Sequence, residues 1–254
     1  MTAIETLARP AQRIAWQLAQ VRGIAAETYR VKSLMLRVAN WRGHLPGQHV
    51  DIRLTAADGY QAQRSYSIAS PPEDEPLALT VERVDGGEVS PYLVDDLRAG
   101  DHFELRGPIG GYFVWTVATR GPLWVIAGGS GITPLMAMLR HRARRKLRAP
   151  ALLLYSSRSL DDVIYREELD AMVRVDPDLH VVHTLTREQP EGWMGHRGRI
   201  DKALLAEAGF PPGQNPSIYV CGATPFVEDV SRFLVELGHD PLTVKTERFG
   251  PSGG

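Results

Sequence analysis

The chain has 254 residues, of which 43% are hydrophobic and 23% charged, an ordinary composition for a globular protein of one large or two modest domains. Its formal net charge of −1 creates no overall field that would favour nucleic acid or an anionic membrane surface. A single cysteine, Cys221, excludes a disulfide framework, a cysteine-based zinc site and a self-contained iron–sulfur cluster, which needs about four thiolates.

The first half of the sequence is typical of short strands separated by turns. Runs rich in β-branched or aromatic residues alternate with turn pairs such as Asp58-Gly59 and Pro71-Pro72. One helix is expected at 90–98, where Ser90 and Pro91 have the order of an N-cap and a first helical residue. We expect strands at 16–21, 28–38, 49–54, 65–69, 77–84 and 102–106. This pattern predicts an antiparallel β-barrel or sandwich.

After about residue 118, strands and helices alternate. Strands are expected at 123–127, 151–155, 179–185, 217–220 and 242–246, and helices at 133–146, 162–174, 201–208 and 225–237. Because such alternation produces a mostly parallel sheet covered on both faces, we expect an α/β Rossmann-like second half. The predicted domains are therefore 1–117 and 118–254.

A glycine-rich loop lies between the first strand and the first helix of the second half. It runs Gly128-Gly129-Ser130-Gly131-Ile132-Thr133-Pro134. Glycines let the backbone approach a ligand, and free N–H groups at a helix start favour phosphate. Thr133 would cap the helix, with Pro134 at its first position. The spacing lacks the third glycine of the dinucleotide-binding fingerprint, so a plain strand-to-helix turn is the alternative.

The next strand ends in Tyr155-Ser156-Ser157-Arg158. A Rossmann-type NAD site would place an acid there to hold the ribose 2′-hydroxyl, whereas a guanidinium can bind a 2′-phosphate through two hydrogen bonds. Asp161 and Asp162 follow closely and weaken this argument, and a plain surface arginine is the alternative. The pattern favours NADPH over NADH.

The segment Arg64-Ser65-Tyr66-Ser67-Ile68-Ala69-Ser70 alternates like a half-buried strand, and alone it indicates no more than that. Together with four further segments it resembles the ferredoxin–NADP reductase superfamily. Those segments are Gly86-Gly87-Glu88-Val89-Ser90, Gly107-Pro108-Ile109-Gly110-Gly111-Tyr112-Phe113, the glycine-rich loop 128–134 and Cys221-Gly222-Ala223-Thr224-Pro225-Phe226. The resemblance extends over roughly 16–249, with the five segments in the family's order and spacing.

The resemblance implies a flavin-binding antiparallel β-barrel followed by an NAD(P)-binding α/β Rossmann-like domain. Arg64 would pair with the flavin pyrophosphate, Tyr66 would stack on the isoalloxazine ring, and Ser67 would form a hydrogen bond near N5. The Arg64-x-Tyr66-Ser67 motif favours FAD over FMN. The complete set of residues expected to bind FAD is Arg64, Ser65, Tyr66, Ser67, Val81, Glu82, Arg83, Gly86, Gly87, Val89, Ser90 and Phe249.

The same resemblance implies a binding site for NADPH or NADH in the second half. The residues expected to form it are Gly129, Ser130, Gly131, Thr133, Pro134, Ser157, Arg158, Arg187, Arg199, Cys221, Gly222 and Pro225. Ser67, Cys221 and Glu247 are the expected catalytic residues. A lone cysteine is otherwise a small buried hydrophobe. Phe249 would cover the flavin, or else be a core phenylalanine at a strand end. Five residues, Gly250–Gly254, follow it and would reach over the cofactor or lie free.

The implied activity is hydride transfer from NAD(P)H to FAD, followed by release of single electrons to a separate acceptor such as an acidic ferredoxin-like protein. Three alternatives stay open. The chain is a flavin-bearing electron-transfer subunit of a larger complex, a free reductase of small acceptors such as quinones, ferric chelates or flavins, or a binding module without catalysis.

A run of basic residues follows the glycine-rich loop. It consists of Arg140, Arg142, Arg144, Arg145, Lys146 and Arg148. Such a run is either a solvated helix end, which we favour, or a docking patch for an acidic partner.

The sequence also lacks the patterns of a metal site, a membrane helix and a secretion signal. The eight histidines show no metal-ligand spacing, so we expect no metal site. No apolar run reaches the roughly 18 residues of a membrane helix, and 1–16 lacks the apolar stretch of a secretion signal. We therefore expect a cytoplasmic protein without membrane or nucleic-acid partners.

Overall fold

The computed structural model describes residues 14–250, which contain two six-stranded sheets. The first sheet is antiparallel, with the strand order β4-β3-β6-β1-β2-β5. Its strands are β1 (Gln17–Thr28), β2 (Val31–Val38), β3 (His49–Thr55), β4 (Gln61–Ser67), β5 (Leu77–Glu82) and β6 (His102–Ile109).

The two outer strands of this sheet meet and close it into a barrel. Ile68, just beyond β4, forms a bridge with Leu79 of β5, and the N–H of Ala69 donates to the carbonyl of Ala78 at 2.8 Å. Buried aliphatic side chains fill the interior, among them Leu34, Ile52, Leu79 and Leu105. The predicted antiparallel β-barrel is confirmed.

The second sheet is parallel, with the order β10-β9-β8-β7-β11-β12. Its strands are β7 (Leu123–Gly128), β8 (Ala151–Ser157), β9 (Leu179–Leu185), β10 (His196–Arg197), β11 (Ser217–Ala223) and β12 (Val244–Phe249). The helices are α1 (Ile132–Arg144), α2 (Arg166–Val175), α3 (Lys202–Ala208) and α4 (Thr224–Glu236).

Both faces of the parallel sheet are covered by helices. Residues of α1 and α2 pack in one apolar cluster, and residues of α3 and α4 pack in another. Strand β7 lies between them, and 123–127 are all buried, as the uninterrupted apolar run predicts. The chain proceeds from β7 through β8 to β10 on one side and returns to β11 on the other. The predicted α/β fold is confirmed, and its topological switch point lies between β7 and β11.

Several element boundaries differ from the expected ones. The run 28–38 contains a turn at Tyr29 and Arg30, so β1 extends to Thr28 and pairs with β2 as a hairpin. The expected helix at 90–98 is a single turn of π-helix, Tyr92–Asp96. Ser90 is not its cap, because the Ser90 hydroxyl accepts a hydrogen bond from the N–H of Val84 instead. The short strand β10 was not expected.

The first helix of the second half also begins differently from the prediction. Its N-cap is Gly131, and Thr133 lies inside the first turn, where its hydroxyl donates to the carbonyl of Ser130 at 2.9 Å. The prediction of a Thr133 cap was therefore wrong. No side chain caps this first turn, although the N–H of Ile132 donates to the carbonyls of Gly129 and Ser130, and Pro134 has no N–H.

The segment 110–122 joins the two sheets and contacts both. The N–H of Trp115 donates to the carbonyl of Pro46, and the hydroxyl of Tyr219 donates to the carbonyl of Val114 at 2.9 Å. Phe113 and Trp115 pack with the core of the parallel sheet. The division between 117 and 118 falls within this segment and stays a prediction, and residues 1–13 and 251–254 lie outside the described range.

Candidate functional site

A cavity of about 1280 Å³ lies between the barrel and the parallel sheet. The barrel contributes the end of β4 and the loop 84–90, and the parallel sheet contributes residues at the carboxyl ends of β7, β8, β11 and β12. In open α/β sheets, ligands bind at this edge, next to the topological switch point. The volume exceeds that of the usual small-molecule pocket of about 300–1000 Å³ and suits two extended ligands.

Strand β4 brings Arg64, Ser65, Tyr66 and Ser67 to the wall of the cavity. The hydroxyl of Ser67 is shielded from solvent and has no hydrogen-bond partner among the described residues. A buried polar atom without a partner is costly, so an orphaned hydroxyl at a cavity wall fits a ligand that completes its hydrogen bond. Burial also raises the pKa of the Tyr66 phenol, which stays neutral.

Arg64 is held by an acidic neighbour rather than left free. Its Nη2 lies 3.5 Å from Oε2 of Glu88, and the hydroxyl of Tyr60 donates to Oε1 of the same glutamate at 2.6 Å. The Arg64 side chain is 43% exposed, so this ion pair contributes little to stability. Its Nη1 also donates to the carbonyl of Gln63 at 2.6 Å, so the guanidinium at the cavity wall keeps only part of its donors for an anion.

The loop that follows β5 forms a narrow backbone cradle. Gly86 has a φ of +72°, which favours glycine, and a Cβ on Gly87 would lie 3.1 Å from the carbonyl oxygen of Val84 and 3.2 Å from Oγ of Ser90. Residues 84–90 all line the cavity. Successive backbone N–H groups in such a turn can bind phosphate oxygens.

Two residues of the predicted flavin set do not line the cavity. Val81 is fully buried in the barrel core. Arg83 turns away and forms ion pairs with Asp85 and Asp95. Their neighbour Glu82 does line the cavity, because alternate residues of a strand point to opposite faces.

On the opposite wall, the glycine-rich loop carries Gly128, Gly129, Ser130 and Thr133 into the cavity lining. Gly129 has a φ of +55°. Gly131 is instead required by packing, since a Cβ there would lie 2.2 Å from the carbonyl oxygen of Cys221. Gly131 and its neighbour Pro134 are buried and lie outside the lining.

The carboxyl end of β8 supplies Ser157 and Arg158, and both line the cavity. The hydroxyl of Ser157 is buried and without a partner among the described residues, like that of Ser67. Nη2 of Arg158 lies 3.7 Å from a carboxylate oxygen of Glu82 and 3.5 Å from one of Asp162. Arg158 therefore spans the cleft between the two halves.

Of the two other arginines predicted to bind the coenzyme, one lines the cavity and one does not. Arg199 lines the cavity and forms no ion pair within residues 14–250. Arg187 does not line it, although its N–H donates to the carbonyl of Arg158 at 2.9 Å. Pro225 lines the cavity and Gly222 does not.

Cys221 and Glu247 lie next to each other beneath the cavity, on adjacent parallel strands in register. Burial, followed by the nearby charge of Glu247, raises the pKa of the Cys221 thiol, so the sulfur is not a thiolate at neutral pH. Burial raises the pKa of Glu247 to about 7, and its Oε2 has no partner among the described residues. Neither side chain lines the cavity, whereas Ala223 and Phe249 at the same strand ends do.

Arg30 and Phe226 are among the lining residues that the predicted set lacks. Arg30 lies in the turn between β1 and β2 and reaches the cavity only because that hairpin pairs with β5, which no local sequence signal predicts. Phe226 packs against two glycines, since a Cβ on Gly128 or Gly222 would approach its ring to 3.0 or 2.7 Å. Its place as the last residue of the cysteine–glycine segment was the signal available.

Among the described residues, no group of three or more histidine, cysteine, aspartate or glutamate side chains is arranged to hold a metal ion. No helix in the described part of the chain has the length and apolar character needed to cross a membrane.

Two protein-family models match the chain. The oxidoreductase FAD-binding domain matches residues 17–114, and the oxidoreductase NAD-binding domain matches residues 125–232. The first range contains the barrel strands with the Arg64–Ser67 segment, and the second contains the glycine-rich loop.

The chain is also similar to curated reductases. It is 35% identical to ferredoxin–NADP reductase B of Sorangium cellulosum, over 80% of this chain and 84% of that protein. It is 34% identical to the glycine betaine monooxygenase reductase subunit of Pseudomonas aeruginosa, over 82% of this chain and 56% of that protein. The chain therefore spans little more than half the length of the latter.

Among solved structures, the FAD/NAD-binding domain of nitric oxide dioxygenase from Vibrio cholerae superimposes with a TM-score of 0.82 at 26% identity. The match covers 92% of this chain and 99% of that one. The arrangement of both halves is thus shared with a known two-domain fold.

Proposed function

Because this chain belongs to the ferredoxin–NADP reductase superfamily, we propose that it transfers hydride from NADPH or NADH to bound FAD and passes single electrons to a separate acceptor. The observation that carries the proposal is the continuous cavity with the orphaned hydroxyl of Ser67 on one wall and the glycine-rich loop on the other. A donor and an acceptor of hydride can meet in such a cavity away from bulk water.

On the barrel side, we assign FAD to the Arg64–Ser67 strand end and the 84–90 cradle. FAD, when bound, supplies the hydride-accepting and one-electron chemistry. The Tyr66 ring offers a stacking surface, and the Ser67 hydroxyl donates or accepts a hydrogen bond beside it. Arg64 and the cradle N–H groups bind phosphate oxygens.

On the other side, we assign the coenzyme to the glycine-rich loop and the end of β8. The first turn of α1, which no side chain caps, and the hydroxyl of Ser130 suit its phosphates. The buried Ser157 hydroxyl, Arg158 and Arg199 suit a 2′-phosphate, which supports NADPH as the preferred coenzyme.

The catalytic roles proposed for Cys221 and Glu247 are indirect ones. Neither side chain lines the cavity, and the thiol is neutral. A neutral, compact thiol leaves room for the nicotinamide without adding charge. Glu247, with a pKa of about 7, can hold a proton near the floor of the site.

We propose a separate protein as the electron acceptor. The 254 residues contain one cysteine and hold no iron–sulfur cluster of their own. Similar proteins are named as reductase subunits or components of monooxygenase and dioxygenase systems, which supports a ferredoxin-like or oxygenase acceptor. A cytoplasmic location is part of this proposal.

The test is spectroscopic. The purified protein should have the yellow spectrum of a flavin, or acquire it with added FAD, and NADPH or NADH added without oxygen should bleach it. A protein that binds neither FAD nor FMN would refute the proposal and leave a binding module. Flavin binding without reduction by either coenzyme would favour the electron-transfer subunit, and fast turnover with quinones or ferric chelates alone would favour a free reductase.

A further inference from the structure

The second half of α1 is attached to the barrel by side chains from the basic run. Nη1 of Arg140 donates to the carbonyl of Ala69 at 2.8 Å. Nε and Nη2 of Arg144 donate to the two carboxylate oxygens of Asp74, each at 2.8 Å. These contacts join residues about 70 positions apart in the sequence, one from each half. The basic run is thus largely engaged within the molecule.

A third α1 side chain adds to this attachment. Nδ1 of His141 lies 2.9 Å from Oε2 of Glu73, and its ring meets the ring of Trp115 edge to face at 5.8 Å between centroids. Trp115 belongs to the segment that joins the two sheets. We call the contacts of Arg140, His141 and Arg144 with residues 69–74 the α1 bridge.

Arg140 is itself fixed in place. Its Nε and Nη2 donate to both oxygens of Glu168 at 2.8 and 2.6 Å, and its guanidinium lies 4.7 Å from the centre of the Tyr165 ring. The Tyr165 hydroxyl donates in turn to the hydroxyl of Thr80, which lines the cavity. With only 19% of its side chain exposed, Arg140 forms charge-assisted hydrogen bonds that solvent screens weakly.

The two ends of α1 lie at the glycine-rich loop and at the barrel segment 69–74, respectively. The helix starts at Ile132, within the glycine-rich loop, and its 13 residues span about 20 Å. Its other half holds Ala69, two residues beyond Ser67. Because a helix is stiff over this length, the α1 bridge fixes the position of the glycine-rich loop relative to Ser67.

We propose that Arg140 and Arg144 are positioning residues that set the distance between the bound coenzyme and the flavin. This inference rests on the proposed function and assigns the basic run a role within the molecule instead of partner docking. A displacement of about 1 Å caused far from the reacting atoms can slow an enzyme by up to about 100-fold. The α1 bridge should therefore affect hydride transfer more than the binding of either cofactor.

The experiment first replaces the Arg144–Asp74 ion pair with two carboxylates, and then restores an ion pair with the two charges exchanged. Arg144 is 60% exposed, so Arg144→Asp should leave the fold intact while opposing Asp74. We expect this variant to bind FAD normally and to show flavin reduction by NADPH slowed about tenfold or more, with little change in the coenzyme concentration needed for half-saturation. The double variant Asp74→Arg/Arg144→Asp should recover most of the rate.

Two controls separate positioning from a general charge effect. Arg148→Asp makes the same charge change four residues beyond the end of α1, but Arg148 faces Asp178 of its own half at 3.8 Å, so flavin reduction should be unchanged. Reoxidation of dithionite-reduced flavin by ferricyanide should be equal in all variants. Reduction of Arg144→Asp at the parental rate, or no recovery in the double variant, would overturn the proposal.

A second readout keeps this test independent of the proposed function. Spin labels at Arg37→Cys and Leu242→Cys, both exposed positions, report the distance between the two halves, while the native cysteine is buried. If neither coenzyme reduces the flavin of the parent protein, the proposed function fails. The distance between the spin labels then tests the α1 bridge on its own. A distribution that broadens in Arg144→Asp and narrows again in the double variant supports the α1 bridge, and identical distributions refute it.

Discussion

The hydroxyl of Ser67 is buried and has no hydrogen-bond partner among the described residues, so a ligand can supply one. Its Oγ is shielded from solvent and unpaired among residues 14–250, although it lies at a cavity wall. Desolvating a hydroxyl without a hydrogen bond costs about 1–3 kcal/mol. A ligand that forms this bond recovers that free energy on binding.

Ser67→Ala should therefore slow reduction of the flavin by NADPH about tenfold, since a lost hydrogen bond of about 1.4 kcal/mol in the transition state changes a rate by that factor. Rapid mixing without oxygen measures the rate, and the flavin content must equal that of the parent. Ser217→Ala is the matched control, because Ser217 lies at the amino end of β11, away from the cavity. An unchanged rate in Ser67→Ala would show that its hydroxyl does not assist the transfer.

Glu247 should make the stability of the protein dependent on pH. Burial raises its pKa from 4.5 to about 7, so the folded state binds the proton more tightly than the unfolded chain does. The stabilisation is complete below pH 4.5 and is lost as the pH rises through about 7. Its size is on the order of 3 kcal/mol, since one pKa unit corresponds to about 1.4 kcal/mol.

Urea unfolding at pH 5 and pH 8 tests this prediction. Glu247→Gln should remove that part of the pH dependence and be relatively more stable than the parent at pH 8. Glu207→Gln, at an exposed position of α3, serves as the control and should keep the parental profile. A parental profile in Glu247→Gln would mean that the carboxyl is solvated in the folded state.

At the scale of single elements, the glycine-rich loop combines two different requirements. Gly129 supplies a positive φ, whereas Gly131 supplies the space in which the loop packs against the backbone of β11. The sequence predicted glycines for close approach to a ligand, and at Gly131 the close neighbour is the chain itself. Sequence spacing alone does not separate these two reasons.

Gly131→Ala should destabilise the fold, because its Cβ would lie 2.2 Å from a backbone oxygen of Cys221 that cannot move without distorting β11. Overpacking of this kind typically costs about 1–3 kcal/mol. The free energy of unfolding in urea measures the effect. Gly213→Ala, where the added Cβ meets no atom within 4 Å, should be nearly neutral. A stable Gly131→Ala variant would indicate that the loop can shift away from β11.

The sequence predicted the strands and helices of the parallel sheet well, since buried parallel strands are uninterrupted apolar runs such as 123–127. The boundaries of the elements in the barrel were predicted less well. The turn at Tyr29 and Arg30 carries no glycine or proline, so the strand expected at 28–38 includes this turn, and 22–27 of β1 were not expected to be a strand. Likewise, the hydroxyl of Ser90 has the chemistry of an N-cap but forms its hydrogen bond with Val84, six residues earlier.

At the scale of the whole molecule, the sequence could not predict which side chains form contacts between the two halves. Arg144 and Asp74 are 70 residues apart, and each is unremarkable in its local sequence. From the sequence alone, the basic run therefore indicates either a solvated helix end or a docking patch. Only the folded arrangement, with α1 against segment 69–74, shows that several of these charges connect the two halves.

Arg158 also contacts residues of both halves, and the last prediction concerns its role in selecting the coenzyme. It lies between Glu82 of the barrel and Asp162 of its own half, on the cavity wall with the orphaned hydroxyl of Ser157. A 2′-phosphate would compete with both carboxylates for the guanidinium. We expect Arg158→Ala to lower kcat/KM for NADPH by about 10–100-fold, because a hydrogen bond to a charged group contributes about 1.5–3 kcal/mol.

For NADH, which has no 2′-phosphate, the same substitution should change kcat/KM only slightly, so the ratio of the two coenzymes is the measured quantity. Arg197→Ala removes an exposed guanidinium outside the cavity lining and should leave that ratio unchanged. If Arg158→Ala lowers kcat/KM equally for both coenzymes, Arg158 acts through its contact with Glu82, and the selectivity for a 2′-phosphate must come from other residues such as Arg199.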